Sequence, residues 1–234
     1  MCGENAFSLL IFILKNTMKP QELAFNNCTL AILEDTFDLR KENTNNELTT
    51  WLSAQIELSP YEQEMVKIAA NALTDNVAHW NEQDLSLHYI GPMFLFANFT
   101  VPYRFNLFAQ INIEATLNDI RLFGRVDELV ASGFRSPKIP FFAFNEYKRQ
   151  TDPNGDPAGQ CLAAMLAGQT LNSSNSTQTM YGCFVIGSTW NFMVLEGKQY
   201  TISNSLDGRD INDALQILRI LKALKQICTA RTQV

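Results

Sequence analysis

The chain has 234 residues, of which 46% are hydrophobic and 18% charged, a balance that excludes wholesale disorder, a fibrous repeat and a coiled coil. Its net charge of −6, from 24 Asp and Glu against 18 Lys and Arg, excludes a general attraction for nucleic acid, so any such contact must use a local basic surface or a partner. The longest apolar run, Phe7 to Leu14, is far below the ~20 residues that span a bilayer, and Met1 to Asn5 carries Glu4 and no positive charge, unlike a signal peptide; a cytoplasmic chain with no membrane partner is expected.

The five cysteines, Cys2, Cys28, Cys161, Cys183 and Cys228, are odd in number and widely spaced, with no CxxC. Zinc needs close pairs of soft ligands, and His79 and His88 do not complete a set, so free thiols in a reducing compartment are expected.

Residues 1–80 read as mostly helical and polar, a helical extension packed on a core formed by residues 81–234. Lys41 to Asn46 is polar and reads as a loop. Ser59-Pro60-Tyr61-Glu62 has the form of a helix start: Ser59 can accept from the N3 amide, Pro60 fits N1 and Glu62 can reach back to the cap. Met65, Ile68, Ala69, Ala72 and Leu73 follow at helical spacing. A second start falls at Asn81, with Trp80 and Leu85 placed as a hydrophobic staple, and this helix is expected to kink or stop near Gly91-Pro92.

Beyond residue 100 the pattern turns to strands. Tyr103 to Ile113, Ile120 to Ala131 and Phe141 to Lys148 are β-prone, the last two separated by a loop from Gly133 to Pro140. After a turn at Asp152 to Pro157, Ala158 to Leu171 is rich in Ala, Leu, Met and Gln and reads as helix. Asn172 to Thr179 is a Ser/Thr/Asn-rich loop. Three further strands (Met180 to Ile186, Asn191 to Leu195, Gln199 to Ser203) and an amphipathic helix from Ile211 to Cys228 complete a mixed α/β chain. Ten of the 16 Phe residues fall between Phe94 and Phe144; a stacking platform for single-stranded nucleic acid is one use, but Phe141, Phe142 and Phe144 sit in a run that reads as buried on both faces, so core filling is expected.

Glu146-Tyr147-Lys148 carries the chemistry. Side chains two apart on a strand share a face, so Glu146 and Lys148 project together while Tyr147 points away. Asp127, in Gly124-Arg125-Val126-Asp127, interrupts another apolar strand, and pairing of the two strands would bring it alongside Glu146. Two carboxylates and an ammonium then suit metal-assisted hydrolysis. Asp127 and Glu146 offer hard oxygen ligands for Mg²⁺ with the Tyr147 backbone carbonyl as a third, and Lys148 can position the attacking water or offset developing negative charge. The alternative is a structural cross-strand salt bridge with a separate surface aspartate.

This arrangement resembles the PD-(D/E)XK nuclease superfamily, in which an aspartate precedes a strand bearing Glu-x-Lys. It is closest to a small bacterial branch with runs like Gly-Arg-Val-Asp, Glu-Tyr-Lys and Gln-x-Leu-Ala-Ala-Met. One departure is Val126, where the family name has a proline. The resemblance implies a restriction-endonuclease-like core, a central mixed β-sheet flanked by helices. It gives a supporting role to Gln160 in Gly159-Gln160-Cys161 and to Glu82 in Asn81-Glu82-Gln83-Asp84, with Glu82 a further ligand candidate. Gln160 can otherwise be a helix residue bonded to a neighbouring strand, and Glu82 a first-turn residue complementing the helix dipole. The implied activity is Mg²⁺-dependent phosphodiester hydrolysis, with Mn²⁺ able to substitute, by a DNA endonuclease. Arg125, Arg135, Lys138 and Arg149, with Arg104 and Arg121, are the candidate phosphate contacts. Arg219, Lys222 and Lys225 on the last helix read instead as a solvated stripe. The acidic balance implies a weak grip on DNA, to which a homodimer or partner subunit can add. The competing expectation is a catalytically silent nuclease-fold interaction or regulatory module.

Overall fold

The structure, a computed structural model, describes residues 21–151, 155–172 and 178–232. The apolar run Phe7 to Leu14 and Cys2 lie outside them, as do parts of the Asp152 to Pro157 turn and most of the Asn172 to Thr179 loop.

The polar first third contributes strands as well as helices. β1 (Gln21–Ala24) leads through a 3₁₀ turn to α1 (Leu30–Phe37), and β2 (Arg40–Lys41) to α2 (Asn46–Leu52). Neither strand is long enough to leave an alternating pattern, and both owe their conformation to the sheet they join. α3 (Pro60–Asn76) starts as its sequence dictates, with the Ser59 and Glu62 side chains capping each other's backbone amides. Asn81 and Asp84 form a second capping box at α4 (Glu82–Leu85). That helix neither stops nor breaks at Pro92. A π-helical turn, Ser86–Ile90, widens the spiral immediately before it, which accommodates a ring that has no N–H to donate, and α5 (Gly91–Ala97) continues to a left-handed cap at Asn98.

Then come the long strands β3 (Phe105–Leu117), β4 (Ile120–Ser132) and β5 (Lys138–Lys148), an antiparallel meander. α6 (Pro157–Leu171) crosses over to β6 (Met180–Ile186), which runs parallel to β5. β7 (Thr189–Glu196), β8 (Gln199–Ile202), β9 (Leu206–Asp207) and α7 (Ile211–Arg231) follow. Among the described residues the sheet has nine strands in the order β1-β4-β5-β6-β7-β8-β2, with β3 also on β4 and β9 on β7. β1, β2 and β6 make its parallel pairings, so the sheet is mixed.

Helices cover both faces, as the α/β reading expects. On one face α2, α3, α5 and α7 pack over Phe142, Tyr181, Trp190 and Phe192; on the other α1 and α6 pack over Phe108, Leu129, Phe144 and Met193. Most of the phenylalanine-rich stretch fills the core, with Phe142 on the first face and Phe141 and Phe144 on the second, while Phe134 is exposed. α6 is buried from Pro157 to Gln169, which is why its sequence is apolar all round and not striped. Its start is locked to the N-terminal segment. Asp156 accepts from Gly159 N–H at 3.1 Å to cap α6, while its other oxygen accepts from Leu30 N–H at 2.9 Å. A Cβ on Gly159 would fall 2.6 Å from the Cys28 carbonyl oxygen, so only glycine permits this approach.

The four described cysteines are buried and unpaired. No helix among the described residues is long and apolar enough to cross a membrane.

Candidate active site

The site forms where the β4–β5 ladder ends. The last cross-strand pair is Glu128 with Asn145; two residues on, a continued register would set Tyr147 opposite Val126. The Tyr147 N–H instead donates to Asp127 Oδ2 at 3.0 Å. A carboxylate has thus taken the place of a strand carbonyl. The cause lies in β3 and β4 together. Val126 and Leu129 face the same core although three residues apart, and so do Ile111 and Phe108. The in–out alternation therefore slips by one residue on both strands. Gln110, opposite Asp127 within this slip, adopts φ 58° and donates from Nε2 to Asp127 Oδ1 at 2.9 Å.

From β5, Glu146 and Lys148 project together, as strand periodicity requires, with Lys148 Nζ 2.7 Å from Glu146 Oε1. Tyr147 points to the other core, where its hydroxyl lies 3.2 Å from Ser86 Oγ. That contact fixes the π-helical turn against β5, and one turn earlier Glu82 stands with Oε1 4.0 Å from Lys148 Nζ. Three carboxylates from three elements thus surround one ammonium.

Burial sets the electrostatics. The Asp127 carboxyl is raised above the usual carboxylate range by burial, against the Tyr147 N–H, Gln110 and Lys148, which favour its anion. Burial, and then the Asp127 charge, push Glu146 up to about 7 in spite of Lys148. Burial alone would depress Lys148, but Glu146, Glu82 and Asp127 together hold it above its ordinary value and so fully charged.

Gln160 is buried in the first turn of α6, with its amide against Gly155. Among the described residues no hydrogen bond joins it to Asp127, Glu146 or Lys148. The basic candidates divide. Arg125 is exposed beside an open groove that Phe123 and Asn112 also line, and Arg149 follows Lys148 directly. Arg121 is bound by Glu22 and Glu114, at 3.1 and 2.6 Å. Arg135 and Lys138 sit at the far end of β5, about 33 Å from Lys148 at the rise of an extended strand. On α7 the expected solvated stripe is instead half-buried at Arg219, Lys222 and Lys225, because Lys222 pairs with Glu62 of the packed α3 and Arg219 bonds to Gln216.

Sequence reading missed Gln110, whose role depends on a backbone conformation without a pattern. It also missed Glu128 and Asn145, directly opposite each other and buried, with Glu128 Oε2 and Asn145 Nδ2 both lacking a hydrogen-bond partner. Burial, with the Asp127 charge second, pushes Glu128 up to about 8. The signal was present: Glu128 interrupts the same apolar strand as Asp127.

The donor set fits a hard divalent cation. Asp127 and Glu146 are both oxygen donors and substantially desolvated. An extended residue presents N–H and C=O on one strand edge, so the Tyr147 carbonyl faces Asp127 as its N–H does. With Glu82, three carboxylates converge on one ammonium, and their full ionisation would leave an excess of two negative charges for such a cation to offset. Among the described residues no three His, Cys, Asp or Glu side chains are arranged as a metal-holding group, so backbone and water would complete the coordination, as Mg²⁺ commonly allows. No protein-family model and no curated protein matches the chain.

Proposed function

We propose that the chain is a metal-dependent nuclease of PD-(D/E)XK type acting on DNA, with β3, β4, β5, α6 and β6 as a restriction-endonuclease-like core. The observation that carries this reading is the meeting of Asp127, Glu146 and Lys148, with Glu82 beside them, where two paired strands part. Asp127, Glu146 and the Tyr147 carbonyl would hold the metal. When bound, Mg²⁺ lowers the pKa of its water and offsets charge on the phosphodiester. Hydrolysis adds a water oxygen to phosphorus, breaks the bond to the leaving oxygen and moves one proton from water to that oxygen. Lys148 is positioned to orient the water and to offset negative charge as the phosphorus gains its fifth oxygen. Tyr147 N–H and Gln110 fix Asp127 in the orientation the metal requires.

The test is cleavage of supercoiled, linear and single-stranded DNA by wild type and Lys148→Ala, with Mg²⁺, Mn²⁺ or EDTA. Metal-dependent nicking by wild type alone is the expected result; equal cleavage by the variant removes Lys148 from the mechanism. The second reading, a silent nuclease-fold module, draws on the closed Lys148–Glu146 pair and the net charge of −6. It predicts neither cleavage nor a rise in melting temperature on adding metal.

A further inference from the structure

At the other end of β4 and β5 the same sheet carries an exposed aromatic pair. Tyr103 is 95% exposed and Phe134 58% exposed, and their rings stack at 6.4 Å between centroids and 23° between planes. Tyr103 contributes nothing to a core. It occupies the third position of a tight turn, Val101-Pro102-Tyr103-Arg104, closed by Arg104 N–H to Val101 O at 3.1 Å. Its φ is +62°, at a turn position that ordinarily selects glycine or asparagine. The neighbouring loop is held beside it, because Phe105 pairs with Ser132 and Asn106 Nδ2 donates to the Phe134 carbonyl at 3.4 Å. The strained turn thus holds an aromatic ring in solvent, a conformation whose cost the fold carries without gaining core contacts.

Charge names the ligand class. Arg104 and Arg135 flank the two rings in sequence, and Lys138 pairs through Ser132 with the same strand end. No Asp or Glu occurs between Leu85 and Ile113 or between Leu129 and Asn145, although the chain carries 24 of them. Two stacked ring faces beside three cations, in a stretch without carboxylates, match a strand of unpaired bases with its phosphates.

We infer that Tyr103 and Phe134, with Arg104, Arg135 and Lys138, form a single-stranded nucleic-acid platform separate from the candidate active site. This deepens the nuclease reading, on which it rests, by naming a substrate with an unpaired segment. The platform holds that segment about 33 Å, the length of β5, from the reacting end.

The whole protein is titrated in EDTA, so that binding is read without cleavage, into a fluorescein-labelled oligothymidine of about 20 nucleotides, and anisotropy is recorded. Tyr103→Asn removes the ring and suits the positive φ, so it should weaken binding by about 5- to 100-fold with no fall in melting temperature. Phe134→Ala should weaken binding by a similar factor, and Tyr103→Trp should retain it. Each of Arg104→Ala, Arg135→Ala and Lys138→Ala should reduce the slope of log affinity against log salt by about 0.7. Wild-type affinity in both ring variants overturns the platform. So does a wild type that binds phosphatidylglycerol vesicles but no oligonucleotide. Ring-dependent binding without cleavage under any metal leaves the platform standing and removes the nuclease reading. Cleavage with ring-independent binding does the reverse.

Discussion

The paired stretch of β4 and β5 ends in opposite chemistry. At one end Asp127, Glu146 and Lys148 are charges drawn in from water; at the other Tyr103 and Phe134 are rings put out into it. Both ends go against the partition that stabilises the rest of the sheet, where Phe142 and Phe144 are fully buried. Each exception is braced by its neighbours, Gln110 and the Tyr147 N–H at the first, Asn106 and the Pro102 turn at the second. Local rules broken and then supported mark the places where folding has been traded for something else.

The largest expected effect is at the charged end. Lys148→Ala should lower metal-dependent cleavage by about 100-fold or more, measured as initial rates of plasmid nicking. It should remain folded, because Glu146, already pushed up to about 7, can take a proton when its partner is lost. Next, Mg²⁺ at about 100 times its dissociation constant should stabilise wild type by about 2.7 kcal/mol, several degrees in melting temperature, and Asp127→Asn should lose most of that shift.

Glu128 gives a pH signature to the same end. Its folded pKa of about 8 lies above the ordinary 4.5, so the folded state keeps a proton that the unfolded chain releases between those values. Its contribution to stability is complete below about pH 4.5 and declines as pH rises to about 8, by up to about 1.4 kcal/mol per unit. Glu128→Gln should lessen that decline in urea titrations at pH 5, 6.5 and 8, most clearly above about pH 7, where Glu146 no longer adds to it. Smallest is the effect of Phe134→Ala on stability, within about 0.5 kcal/mol, since the ring is mostly solvated. A larger loss would mean that the aromatic pair is structural and would dissolve the contrast between the two ends.

Much was legible in advance. The capping box at Ser59, the three long strands, the crossover helix and the face shared by Glu146 and Lys148 all depend on neighbours within a few residues, and each formed as expected. Less legible was the helix through Pro92, since a π-helical turn is set by packing against β5 through Ser86 and Tyr147. The polar first third hid two strands because a four-residue and a two-residue strand take their conformation from partners far along the chain. Gln160 stands buried at the start of α6, as the helix reading expects, with its amide close to Gly155.

The sequence by itself determined the α/β class, the element order of the core and the face shared by Glu146 and Lys148, because periodicity, capping and composition act over short separations. Only the tertiary structure decided that Asp127 replaces a strand carbonyl, that Glu82 reaches Lys148, and that Tyr103 and Phe134 meet in solvent. Those outcomes depend on register, on a phase slip shared by two strands and on which surfaces are left uncovered. Such quantities belong to pairs of distant segments, and no single segment of the chain encodes them.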